Sequence, residues 1–155
     1  MPTADDWWWL LCSVCDSARA DKDEQANIRR GLAALDKVLN TRATVHRAMY
    51  RQGLGWVDFE WGDEGGAPDK YGKRQGGKGI SHAMEARQRK DGLTQAQSIQ
   101  ILRKMVNAIA RGQEIKKIQV KGIENRMIRH AGAEVSLVKS KGSNAWILTV
   151  YDAWN

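Results

Sequence analysis

GQEIKKIQVKGIENRMIRHAGAEVSLVKSKGSNAWILTVYD, residues 112–152, decides the fold. Four short runs, 114–121, 124–130, 133–139 and 145–151, read as strands. The dipeptides Lys121-Gly122 and Ala131-Gly132 and the tetrapeptide Lys141–Asn144 separate them. Turns this short join antiparallel neighbours, so the segment predicts a meander. In its last run Trp146, Leu148 and Val150 share one face and are assigned to the core. Ile147, Thr149 and Tyr151 share the other, which leaves two hydroxyls two residues apart.

Upstream of the meander the period changes. Ile99, Leu102, Val106 and Ile109 mark the buried stripe of a helix over 94–111, with Thr94 as N-cap. Another helix is expected over about 80–90. Before it, residues 62–79 hold seven glycines and one proline and read as a long loop. Val57, Phe59 and Trp61 alternate with Asp58 and Glu60, the pattern of a strand ended by Gly62. Residues 42–51, with Val45 and Met49, are expected to be helical. Residues 22–40 repeat Ile28, Leu32, Leu35 and Leu39 along one helical face, and 6–18 read as a separate short helix around Trp7, Trp8 and Trp9. Three consecutive tryptophans diverge by about 100° each, so they cannot all enter one core. Helices followed by a meandering sheet define an α+β chain. The expected division is a helical N-terminal extension, 1–52, and a domain, 53–155.

At 155 residues and 17.4 kDa the chain suits one core, with roughly 70% of the unfolded surface buried. Charge is unevenly spread. Residues 1–69 hold 8 Lys and Arg against 12 Asp and Glu, a balance of −4, whereas residues 70–155 hold 17 against 6, a balance of +11. The basic part suits a polyanion, nucleic acid first, because Lys and Arg displace counterions from phosphates. Cys12 and Cys15 form a lone C-x-x-C, without the second pair that a zinc site needs. No run is long enough to cross a bilayer, and the start has acids where a signal peptide has basic residues. The chain reads as cytosolic in its chemistry, alone or as the end of a larger exported protein.

Residues 72–79, GKRQGGKG, nearly fit the phosphate-cradling G-x-x-x-x-G-K-[ST], but Gly79 stands where Ser or Thr would hold magnesium. A looser role remains for Lys70, Lys73, Arg74 and Lys78, closing over a nucleic-acid backbone. Asp58, Glu60, Asp63 and Glu64 could seed a magnesium site, but an exposed strand face with an acidic turn is the simpler reading. His46 and His130 read as structural. His82 has better company: it follows the glycine loop, sits in the first turn of a helix, and has Arg87, Arg89 and Lys90 downstream. A helix start favours an anion, and imidazole transfers protons near neutrality.

GWVDFEWGDEGG (55–66), GKGISHAMEARQ (77–88) and the closing WILTVYD (146–152) together resemble the phage and toxin branch of the barnase–EndoU–colicin–RelE-like ribonucleases, over about residues 53–154. The resemblance implies helices packed on a curved, mainly antiparallel sheet of four to five strands, with RNA on its open face. It implies metal-independent cleavage without a cofactor, by attack of the ribose 2′-OH to leave a 2′,3′-cyclic phosphate. It places His82 as general base or acid, and Thr149 and Tyr151 in phosphate binding and proton relay. Lys78, Arg87, Arg126 and Lys139 are the basic residues available to bind RNA. Such a chain would act in the cytoplasm of a bacterial cell, free or fused to a phage or toxin protein. An acidic immunity or antitoxin protein would be its partner. The charge alone would equally suit a non-catalytic nucleic-acid-binding module or a structural phage component whose nuclease activity has decayed.

Overall fold

A computed structural model of the chain describes residues 4–63, 65–71 and 78–149, with side chains from Lys22 to Leu148. Its order is α1 (Ala4–Thr41), β1 (Val45–Arg51), β2 (Gly55–Phe59), α2 (Gly79–Asp91), α3 (Gln95–Arg111), β3 (Gln113–Val120), β4 (Ile123–His130), β5 (Ala133–Lys139) and β6 (Trp146–Thr149). The α+β class and the order of helices before meander match the expectation. The sheet has six strands in the order β1-β2-β6-β5-β4-β3. Every neighbouring pair is antiparallel except β2 and β6, which run parallel.

Two expectations are corrected. The helices foreseen at 6–18 and 22–40 are one helix of 38 residues. Nothing between them breaks a helix, since Arg19, Ala20 and Asp21 include neither Gly nor Pro. Residues 42–51 are not helical: they supply β1, the strand that makes the sheet six-stranded. Arg42, with φ 51, ends α1, and Val45 pairs with Phe59. A bulge between Val45 and Met49, with Arg47 at φ 51, then breaks the alternation. Ala48 and Met49 are consequently both buried. An apolar pair four residues apart therefore imitated a helix face. The turn at residues 52–54, where the expected domain boundary falls, joins β1 to β2.

The core lies between the helices and one face of the sheet. Val57, Phe59, Trp146, Leu148, Leu137, Val135 and Ile128 line that face, and the register places them on matching rungs. Leu35 and Val38 of α1 and Leu102, Met105, Val106 and Ile109 of α3 cover it. Gly31 lets α1 approach closely: a Cβ there would stand 2.6 Å from the Met49 sulfur and 2.8 Å from a Val106 methyl. Lys121 and Gly122, like Ala131 and Gly132, are both left-handed. Two-residue turns need that conformation to match the strand twist.

Thr94 caps α3 as expected, in a full capping box with Gln97. The other end of α3 is held from a distance. Arg51 Nη1 donates to the Ile109 carbonyl and Nη2 to the Gly112 carbonyl, both at 2.8 Å. Burial lowers the Arg51 pKa, and Glu114 partly offsets this. Arg51→Met is expected to cost about 2–3 kcal/mol, because it strands carbonyls that now accept charge-assisted bonds. Urea unfolding measures this as a lower midpoint at unchanged slope.

Candidate active site

The site is built at the carboxyl end of β2. Beyond Phe59, the Glu60 carbonyl accepts from Ile80 N–H and the Trp61 carbonyl from Ser81 N–H, each at 2.9 Å. Asp63 and Lys78 then exchange two backbone bonds of 3.0 Å, which closes the intervening loop and delivers the chain into α2. Gly62 and Gly79 make the junction. Both are left-handed, at φ 69 and φ 76. A Cβ on Gly79 would come within 2.7 Å of the Glu60 and Trp61 carbonyl oxygens, and one on Gly62 would collide with the Lys78 carbonyl. Steric demand thus explains the glycine at the position where a phosphate-cradling loop would carry Ser or Thr. The expectation that the first turn of α2 offers its amides to an anion is corrected at Ile80 and Ser81, whose amides bond the chain leaving β2.

His82 follows directly. Ile80, Ala83, Met84 and Ala86 anchor α2 in the core, and His82 is partly exposed. Strand β6 runs beside β2 with Trp146 opposite Val57 and Ile147 opposite Asp58. Continued by two residues, that register brings Thr149 level with Glu60, whose carbonyl holds Ile80. On its other side Thr149 pairs with Ser136. The start of α2 and the carboxyl ends of the parallel strands therefore meet at one end of the sheet. Lys78 belongs to the same end: its Nζ lies 3.4 Å from Glu60 Oε1 and its side chain is exposed. Tyr151 lies outside the described residues, as do Lys73, Arg74 and the side chains of Trp7–Trp9, Cys12 and Cys15.

The remaining candidates lie elsewhere. Arg87, five residues after His82, is rotated by about 140° around α2. It pairs with Asp91 at 2.7 Å and lines a cleft of about 220 Å³ with Ile101, Lys104 and Met105 of α3. Arg126 and Lys139 stand on the core-side face of the sheet, near the amino end of β6. Their charges lie 5.7 and 5.1 Å from the Trp146 ring centroid. Arg126 bonds Glu124 at 2.7 Å and Glu114 at 2.6 Å. Burial alone would lower its pKa, but these two carboxylates outweigh that and raise it. Arg126 is thus already compensated within the protein.

Glu64 lies outside the described residues, and Asp58 is engaged elsewhere than in a magnesium site. Asp58 accepts from the Arg47 amide at 2.8 Å and lies 2.9 Å from His46 Nδ1. Among the described residues no group of three or more His, Cys, Asp or Glu could hold a metal ion. His130 ends β4. The residue that sequence reasoning underrated is Glu60, weighed only as a metal ligand. The alternation Val57-Asp58-Phe59-Glu60 identified it as a polar strand-end position. Its place beside Lys78 and the start of α2 makes it a carboxylate available for proton transfer.

Comparison with protein families gives this end of the molecule a chemical setting. The chain is a nuclease of the barnase–EndoU–colicin–RelE superfamily. It belongs to the family described as phage-Barnase-EndoU-ColicinE5/D-RelE like nuclease1, whose model matches residues 48–155. The matched region includes β2, α2 and β6. No curated protein and no solved structure matches the chain.

Proposed function

We propose that this nuclease is a metal-independent endoribonuclease of the toxin or phage-effector type. The reading is supported by the backbone bond that ties Ile80, two residues before His82, to Glu60, by Lys78 beside the Glu60 carboxylate, and by the register that sets the Thr149 backbone level with Glu60, in a chain of this family. Cleavage by the neighbouring 2′-OH needs a proton acceptor, a proton donor and a cation beside the phosphate. Glu60 takes the 2′-OH proton as that oxygen attacks phosphorus. His82, as imidazolium, protonates the departing 5′-oxygen. The P–O5′ bond breaks, leaving a 2′,3′-cyclic phosphate and a 5′-OH. Lys78 faces the charge on the non-bridging oxygens, while Thr149 and Tyr151 supply hydroxyls for phosphate binding and proton relay.

Incubation with total RNA in excess EDTA, followed by end-group analysis, tests the reading. Fragments ending in 2′,3′-cyclic phosphate are expected. Cleavage that EDTA stops, or fragments with 3′-OH ends, would overturn it. No helix among the described residues is long and apolar enough to cross a membrane. The proposed setting is the cytoplasm of a bacterial cell, reached free or as part of a larger phage or toxin protein. An acidic immunity protein over the basic part of the chain would silence it in the producer.

A further inference from the structure

We infer that the molecule carries a second nucleic-acid site, a lysine cleft that grips the backbone of a bound RNA away from the cleaved bond; this rests on the ribonuclease reading. The β3–β4 turn and the β5–β6 turn lie side by side. A Cβ on Gly122 would stand 3.1 Å from Lys141 Cβ, so the Lys141 stem packs directly over the first turn. Between them opens a cleft of about 490 Å³, which Lys121, Lys139 and Lys141 line together with Ser140 and Asn144.

Its charge is uncompensated. Among the described residues none of the three lysines has a carboxylate partner within 4 Å, and Lys139 faces only the Trp146 ring. The one carboxylate in the lining, Glu124, is held by Arg126 at 2.7 Å and Lys117 at 3.3 Å. Those bonds hold its carboxyl below the usual range, with the Arg126 bond the largest cause. Three ammonium groups around a polar, open cleft repel one another unless an anion enters. Hydroxyl and amide groups beside them suit phosphate and ribose oxygens.

Position identifies the occupant. Lys139 is level with Trp146 by continuation of the Val138–Ile147 pairing, and Thr149 is three residues further along β6. The cleft is thus about 10 Å along the strand from the proposed reacting end. On the helix-free face, the rung that runs Ile118, Asn125, Val138, Ile147, Asp58 carries no cation. A dinucleotide cannot fill both sites, whereas a longer strand can.

The test pairs Lys121→Gln/Lys141→Gln with its parent, each also carrying His82→Ala for binding measurements. Anisotropy of a labelled single-stranded oligoribonucleotide is read across salt concentrations. The salt slope is expected to fall by about 1.4 in the double lysine variant, the release expected for two phosphate contacts. In the catalytic background, the ratio of kcat/KM for the oligonucleotide to that for a dinucleotide should fall about tenfold. Lys121→Arg/Lys141→Arg should restore both values. An unchanged slope overturns the proposal, and loss of polyglutamate binding alongside it would assign the cleft to an acidic protein instead. If the parent chain cleaves nothing, the ribonuclease reading fails, and the salt slope still decides whether the cleft holds RNA.

Discussion

Replacing His82 with Ala is expected to lower RNA cleavage by about 10²- to 10⁴-fold, the usual contribution of a placed acid or base. Affinity for RNA should barely change, because every lysine and arginine stays. Glu60→Gln should slow the reaction too. If the carboxylate and the imidazole serve one step, the double variant is no slower than the worse single variant, since residues acting as a unit are strongly non-additive. Rates are best followed on a quenched oligoribonucleotide, with binding measured separately by anisotropy. Full activity in His82→Ala removes the histidine from the chemistry. Equal losses of binding and cleavage would make it a contact residue.

Gly79→Ala is expected to damage fold and activity together. The left-handed conformation costs a residue with a Cβ about 1–2 kcal/mol. The collision with the Glu60 and Trp61 carbonyls adds an overpacking cost of about 1–3 kcal/mol. A total near 3 kcal/mol lowers the melting temperature by roughly 6–12 °C in a chain of this size. Gly92→Ala is the control. Gly92 is also left-handed, at φ 64, but nothing lies within 4 Å of its absent Cβ, so only the conformational cost of about 1–2 kcal/mol applies. Cleavage should fall in Gly79→Ala well below the fraction of folded protein, because the bonds at risk place the first turn of α2. It should track that fraction in Gly92→Ala. Equal melting temperatures for the two variants would refute the steric account.

The parts of this fold that were legible in the sequence obey a local rule. Thr94 and Gln97 announce the start of α3, and Ile99, Leu102, Val106 and Ile109 announce its buried side. The Lys-Gly and Ala-Gly turns divide the meander within a residue or two of the observed strands. What escaped depends on distant contacts or broken periodicity. The Arg47 bulge erases the two-residue pattern of β1, so Val45 and Met49 resembled a helix stripe. The parallel pairing of β2 with β6 joins segments almost ninety residues apart, and no local signal encodes it. The same holds for the site. His82 stood out through its glycine loop, but Arg126 and Lys139 are separated from Lys78 by their surroundings, which the sequence does not display. Glu60 was visible as a polar strand position, yet its relation to Lys78 and α2 appears only once the loop closes.

Strand β6 is the last of the six to be synthesised, yet it occupies the middle of the sheet. Until it emerges, the β1–β2 hairpin and the β3–β5 meander are two separate ladders with no edge in common. At ordinary translation speeds of about 5–20 residues per second, roughly five to twenty seconds separate the making of β2 from that of β6. Throughout that interval the ribosome holds a chain in which the β2–β6 pairing, and with it the proposed reacting end, cannot assemble. On the ribonuclease reading proposed above, the message being translated is out of reach until β6 has been made, through strand order alone.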